Sequence, residues 1–386
     1  MADVPISRRV PAKAKVGENS PVRHIDLPLV GAAVGLAVLG LLMIYSSTHR
    51  SAVEFGGSPT LYLKKQIVFL VLGLIGMVVA TVIDYGLAQA YAPIFYLGAV
   101  FLLLLVRTPI GSSALGAQRW FQIAGFQFSP SLFSRLAVAG MLAAVLADMK
   151  GDLSLRDVWR VVSLAAIPMF LVFIQPDIGT TIILATIMVA QLVVAGTRVR
   201  YLVVLALTAL VAIVGAFQLH IIKEYQIERL TSFLDSSGTS TSATASYNLQ
   251  QSEIAIGAGG LTGTGYLRGS QTNLDFVPEQ HTDFIFTVVG EELGFAGAAL
   301  LLVLFAILLW RTYRIASQAR DPFGTYLATG IAAMFAIRMF VNVGMTMGIM
   351  PITGIPLPFV SYGGSALIAD FIAIGLLLNI RARRFA

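Results

Sequence analysis

Residues 284–310 read FIFTVVGEELGFAGAALLLVLFAILLW. At about 1.5 Å per helical residue, such a stretch crosses a hydrocarbon core about 30 Å thick. Past Glu291 and Glu292 it holds no charge. Working outward from it, nine more apolar stretches stand at roughly 26–46, 66–83, 91–106, 131–147, 161–175, 178–195, 200–219, 323–346 and 366–380. Pro176, Asp177 and Gly179 favour a turn that divides the region 161–195 in two. Of the 386 residues, 57% are hydrophobic and 12% charged, and the mean hydropathy is +0.82. No part of such a chain supplies the water-facing surface of a soluble domain. The expectation is an all-α polytopic membrane protein of ten transmembrane helices. A long extracytoplasmic loop, 220–283, joins helices 7 and 8, and a re-entrant loop joins helices 9 and 10.

The absence of cysteine excludes disulfides and thiolate metal sites. A net charge of +6 is modest. Without a basic-aromatic patch it fits lysine and arginine bias at one membrane face rather than nucleic-acid binding. Residues 1–25 are basic and punctuated by Pro5, Pro11 and Pro21, with no apolar core or cleavage site. They read as a disordered cytoplasmic tail rather than a signal peptide. With that tail inside, the inner segments also hold Lys150, Arg156, Arg160, Arg198, Arg200, Arg311, Arg314, Arg320 and the basic tail 381–386. The short outer loops hold Arg50, Lys64, Lys65, Arg107 and Arg119. The asymmetry places both termini in the cytoplasm.

Three outer segments could carry chemistry: 107–130, 220–283 and 347–365. Residues 231–248 are rich in Ser, Thr and Gly and read as mobile, whereas from Leu249 the loop regains apolar, glycine-punctuated character and reads as packed backbone. A dense polar run, Asp275 to Asp283 (DFVPEQHTD), adjoins the eighth span. Thr282 or Asp283 is read there as an N-cap, a use compatible with chemistry because a helix start fixes a carboxylate. Glu291 and Glu292 lie two turns inside the span, where an ionised group is functional by default or faces a wet cavity. Gln118, Arg119 and Trp120 lead toward Arg135 in the fourth span. Arg119 beside a tryptophan suits either an interfacial anchor or a phosphate ligand. The run PITGIPLPFVSYGGS (351–365) has three prolines and three glycines and cannot be helical. At membrane depth such backbone must pack against protein or line a cavity. Gly257–Gly269 matches no nucleotide-loop spacing, and the four histidines show no metal-ligand spacing.

The strings GAQRW (116–120), QPDIGT (175–180), QQSEIAIGAGGL (250–261), FVPEQHTDFIF (276–286) with GEELG (290–294), and PITGIPLPFVSYGGS (351–365) resemble the SEDS family of shape, elongation, division and sporulation proteins. The likeness runs from about residue 26 to the end, and SQTNLDFVPEQHTDF is closer to the RodA-like, elongation branch than to the FtsW-like one. The resemblance implies a peptidoglycan glycosyltransferase at the outer face of the bacterial cytoplasmic membrane. It would join lipid II units by β-1,4 linkages, with undecaprenyl diphosphate leaving and a class B penicillin-binding protein as partner. The family's essential aspartate corresponds to Asp283, chemically suited to take the proton of the attacking sugar hydroxyl. Arg119 is nominated for the diphosphate. Asp275 and Glu279 flank the base, and Gln118, Trp120, His281, Thr282, Ser361 and Tyr362 complete the candidate substrate surface. No metal ligand is assigned, and a divalent cation (Mg or Mn) stays open as cofactor.

Against the family pattern, Leu132 and Arg135 stand where Glu and Lys are usual, and Thr264 where Lys is common. Arg338 and Asp370 occupy positions that are usually neutral. Two costly charges on antiparallel neighbouring spans are expected to pair. Two other readings are a lipid II transporter (flippase) and a catalytically impaired scaffold. A transporter needs midplane sites reachable from both faces, whereas the strongest motifs here lie on the outer side.

Overall fold

The computed structural model describes residues 26–54, 58–114, 117–123, 126–149, 151–218 and 243–385. The tail 1–25 and residues 219–242 of the long loop lie outside them. Helices occupy all ten apolar stretches: α1 (Leu27–Glu54), α2 (Leu61–Val82), α3 (Tyr85–Leu105), α4 (Pro130–Asp148), α5 (Leu155–Ile174), α6 (Ile178–Val194) and α7 (Val199–Gln218), then, after α8 (Ala243–Gly259) and α9 (Ser270–Asn273), α10 (Ile285–Ser317), α11 (Pro322–Thr346) and α12 (Gly364–Ala382). Eight are long and apolar enough to cross a membrane. The other two apolar helices, within α6 and α7, are shorter. Where the bounds run past the apolar stretch, the helix continues through polar residues. α2 opens before Lys64 and Lys65, and α5 opens with a capping box between Ser154 and Asp157.

The fold is not wholly α-helical. Three short antiparallel strands, β1 (Ser112–Ala114), β2 (Ala117–Ile123) and β3 (Phe126–Phe128), fill the segment between α3 and α4. Their aromatic side chains (Trp120, Phe121, Phe126, Phe128) suit a pleated surface, and Phe121 pairs with Phe128 across the hairpin.

One core lies among α1, α10, α11 and α12, with Leu36, Ile44, Phe305, Phe335 and Phe371 fully buried or nearly so. A second joins α3 to α6 through Leu103, Leu142, Val161 and Leu184. The outward faces of α2 and α3 leave Val71, Ile75, Val78, Phe95 and Phe101 exposed, as lipid-facing surfaces require.

α10 is broken. Gly294 has φ 62° and ψ −160°, a conformation for which glycine is suited. The break frees backbone groups on both sides, and the glycine-rich stretch 260–265 takes them up. Phe295 N–H donates to the Gly260 carbonyl (2.9 Å) and Ala296 N–H to that of Leu261 (3.1 Å). In return the carbonyls of Glu291 and Glu292 accept from the N–H groups of Thr264 (2.9 Å) and Gly265 (3.1 Å). Residues 249–265 are thus packed backbone, as their composition suggests. The end of the stretch read as mobile, 243–248, is instead the start of α8. α8 docks on α11 through Ser252, whose hydroxyl donates to the Thr346 carbonyl at 2.7 Å.

Candidate functional site

The segment from Gly269 to Phe284 is positioned from beneath by Glu291. This carboxylate accepts the backbone N–H groups of Gln271 (2.7 Å) and Thr272 (2.9 Å) and the Thr272 hydroxyl (2.6 Å), holding the first turn of α9. Glu292 accepts the hydroxyl of Ser46 on α1 at 2.5 Å. Both glutamates lie on the loop side of the Gly294 break and are fully buried or nearly so. The Glu291 charge, read from sequence as a cost inside a span, is answered by hydroxyl and backbone donors, and Glu292 rests on the Ser46 hydroxyl.

Past α9 the chain turns tightly. Asp275 and Glu279 take left-handed backbone conformations (φ 52° and 54°), which for non-glycine residues store strain. The Glu279 carbonyl gathers the N–H groups of Thr282 (3.2 Å), Asp283 (3.2 Å) and Phe284 (3.3 Å). Thr282 folds back onto Glu279, its hydroxyl 3.1 Å from both the carbonyl and Oε2. The N-cap of α10 is Phe284, with no side-chain capping bond. The reading of Thr282 or Asp283 as an N-cap is therefore corrected: the preceding turn closes on Glu279 instead.

Asp283 ends up half-buried at the mouth of α10. Its carbonyl accepts Nδ2 of Asn342 on α11 at 2.8 Å, and the same amide donates to the Ile355 carbonyl at 2.8 Å. Two residues earlier, the His281 carbonyl accepts the Tyr362 N–H at 2.8 Å. His281, Tyr62 of α2 and Tyr362 form an aromatic triad with ring centroids 5.2–5.6 Å apart. Burial pushes the His281 imidazole below its ordinary pKa against the opposing pull of Glu279 and Asp275. Burial likewise raises the Tyr362 phenol.

The segment 351–363 is irregular, and every residue in it is buried or partly so, with Ile355, Leu357, Phe359 and Val360 no more than 2% exposed. Side chains meet much of its polar backbone. Arg338 Nε donates to the Pro356 carbonyl (3.4 Å), and Gln66 Nε2 donates to that of Ser361 (3.3 Å). The Ser361 hydroxyl accepts the Leu357 N–H (2.8 Å). Gly40 on α1 lets this segment approach, since a Cβ there would lie 2.5 Å from the Val360 carbonyl oxygen.

Below it lies a buried charge cluster. Arg338 pairs with Asp370, as expected of two intramembrane charges. Arg135 donates Nη2 to the Thr180 hydroxyl at 2.7 Å and lies in electrostatic range of Arg338, Asp177 and Asp370. Arg135 therefore finds a hydroxyl and a shared field of two carboxylates where Leu132 offers it no partner.

Arg119 and Gln118 are engaged structurally. The Arg119 guanidinium binds the carbonyls of Gln175 (2.9 Å) and Pro176 and stands 4.0 Å from Asp177, fixing the turn between α5 and α6. Gln118 Nε2 donates to the Thr108 and Gly111 carbonyls (2.7 and 3.0 Å). The Trp120 carbonyl accepts the Ser112 hydroxyl at 3.0 Å. Thr264, read as a missing charge, locks onto the Glu291 carbonyl through both its N–H and its hydroxyl. Among the described residues no three His, Asp or Glu side chains gather as metal ligands. Asn342 and Gln66 were not singled out from sequence. The available signal was an amide inside an apolar span, which has to find partners.

A profile of the FtsW, RodA and SpoVE family, described as cell cycle protein, matches residues 28–385. A probable peptidoglycan glycosyltransferase FtsW of Geobacter sp. (strain M18) is 36% identical over 94% of this chain and 98% of its own length. The peptidoglycan glycosyltransferase MrdB of Escherichia coli K12 is 36% identical over 94% of each chain. The stage V sporulation protein E of Bacillus subtilis is 35% identical over 92% of this chain and 96% of its own. Relatives named for different roles thus match about equally, and identity singles out no branch. Among solved structures, a chain of a peptidoglycan synthase complex that coordinates polymerization and crosslinking superposes with TM-score 0.77 at 29% identity, over 94% of this chain and 98% of that one. The rod shape determining protein RodA of Thermus thermophilus gives 0.68 at 26%, over 94% and 98%.

Proposed function

This chain belongs to the FtsW, RodA and SpoVE family of cell cycle proteins, and from that membership we propose that it is a peptidoglycan glycosyltransferase acting on lipid II, with Asp283 as general base. The observation that carries the proposal is the double fixation of the Asp283 turn: Asn342 holds its own carbonyl and Tyr362 that of His281, leaving a half-buried carboxylate at the helix mouth. A positioned carboxylate takes the proton from the acceptor 4-hydroxyl as that oxygen attacks the anomeric carbon. The new glycosidic bond forms as the bond to the diphosphate breaks, and undecaprenyl diphosphate departs with both electrons. One displacement inverts the anomeric centre. Asp275, Glu279, His281, Thr282, Ser361 and Tyr362 line the acceptor side in this reading. Arg119 and Gln118 serve by shaping the sheet and the α5–α6 turn.

The same proposal has all ten apolar helices spanning the bacterial cytoplasmic membrane, both termini in the cytoplasm and 351–363 re-entrant. The membrane unit is residues 26–380 between basic tails 1–25 and 381–386. A class B penicillin-binding protein is the partner and cell-wall elongation the stage served. The likeness to a chain of a synthase complex supports the partner. The run 270–284 supports the stage.

The purified chain with its cognate transpeptidase, given lipid II, should make glycan polymer. Asp283→Asn should slow it about 10²- to 10⁴-fold, the usual range for a lost general base. Undiminished polymer from that variant refutes the assignment. Lipid II movement across vesicles without polymer supports the transporter reading instead.

A further inference from the structure

At the opposite end of the bundle, where α1 begins and α10 and α12 finish, a cavity of about 210 Å³ is lined by Asp26, Arg311, Arg314, Gln318, Arg381 and Arg384, with Ile315 and Ile380 at its base. Asp26, 1% exposed, is its keystone. Its carboxylate accepts Arg311 through Nε (2.9 and 3.0 Å) and Nη2 (2.6 Å) and forms an ion pair with Arg381. Arg314 and Arg384 stand exposed at the rim, with Arg384 donating to Gln318. Four arginines against one aspartate leave a lining charge of +3. Two helix C-termini, each about −0.5, and one N-terminus, about +0.5, offset little of it.

The surface beside the cavity identifies the medium. Leu300, Val303, Ile307, Trp310 and Tyr313 form one exposed stripe on α10, each 37–62% exposed. It runs about 20 Å along the helix axis and ends in two aromatics in the same turn as Arg311 and Arg314. Exposed Trp and Tyr at the end of an apolar stripe mark the headgroup level of a bilayer. Arginines turned into a cavity at that level, between helices, are arranged to bind phosphate oxygens.

We propose that this cavity binds a phosphate-bearing anion, presented as the headgroup of an anionic phospholipid whose acyl chain lies along the Leu300–Tyr313 stripe. A zwitterionic headgroup brings no net charge to a lining of +3, so the site selects anionic lipid. A soluble phosphate would leave the adjoining stripe unused.

The test uses the full-length chain in nanodiscs of phosphatidylcholine doped with phosphatidylglycerol or cardiolipin, counting lipids retained after extraction by native mass spectrometry. The wild type should retain the anionic lipid selectively. Arg314→Gln/Arg384→Gln should weaken retention roughly thirtyfold, since each surface arginine contributes about fivefold, and Arg314→Lys/Arg384→Lys should keep most of it. Both positions are exposed, and the arginines that hold Asp26, Arg311 and Arg381, are left in place. Equal retention by the glutamine variant overturns the site. Competing inorganic phosphate and pyrophosphate separate the two sources. If they bind with the same arginine dependence while lipid shows no selectivity, the occupant is a soluble anion and the lipid assignment fails.

Discussion

Two irregular segments close the end of the bundle that carries Asp283, and they are held by opposite means. The stretch 260–265 is glycine-rich and is secured by backbone-to-backbone hydrogen bonds with the broken start of α10. The stretch 351–363 is proline-rich and is secured mainly by side chains that reach it from α2 and α11, with one backbone bond from Tyr362 to His281. Proline has no N–H and cannot join a reciprocal ladder, and here the carbonyls of Ile355, Pro356 and Ser361 are met by Asn342, Arg338 and Gln66. Glycine keeps its donor and admits close approach, so its partner can be bare backbone. A loop held by backbone tolerates side-chain changes around it. A loop held by side chains inherits the sensitivity of each one.

The strongest challenge to this contrast is Arg338→Met. It leaves Asp370 charged, buried and unpaired, and should cost about 3–5 kcal/mol by thermal unfolding in detergent. Pairing it with Asp370→Leu should restore most of the loss, and failure to do so would mean Arg338 matters mainly through Pro356. Asn342→Leu comes next. Stranding the carbonyls of Asp283 and Ile355 should cost about 2 kcal/mol and reduce kcat up to about a hundredfold through misplacement of Asp283, the proposed base. Thr264→Val in the backbone-held loop should cost under about 1.5 kcal/mol, because its N–H still reaches the Glu291 carbonyl. A larger effect than that of Asn342→Leu would reverse the comparison. The mildest effect concerns acidity. Since burial lowers the His281 pKa, the unfolded chain takes the proton first as pH falls through about 6.5. Stability should therefore drop from neutral to mildly acidic pH, and His281→Gln should flatten that part of the curve.

The long apolar runs announced the helices, because hydrocarbon thickness sets their length and charge is scarce within them. Helix ends were less legible. α1 continues through Ser46, Ser47, Thr48 and Arg50 to Glu54, where apolarity has stopped but hydrogen bonding has not. The strands between α3 and α4 were hidden by their brevity and by the habit of reading aromatic residues near a membrane as interfacial. The pairing of Arg338 with Asp370 could be anticipated because an isolated charge at that depth has few alternatives. The use of the glycine run could not, since it depends on a helix break distant in sequence that only the fold brings alongside. The N-cap expected at Thr282 or Asp283 failed for a related reason: Glu279, in a left-handed conformation no local pattern signalled, claims the N–H groups first.

The discontinuity at Gly294 has a mechanical meaning. Residues 285–293 and the start of the shaft that follows are bonded to the same stretch, 260–265, on either side of the break. The bend at Gly294 is thus splinted from both sides, so the helix start that follows Asp283 and the long shaft beyond it share one clamp.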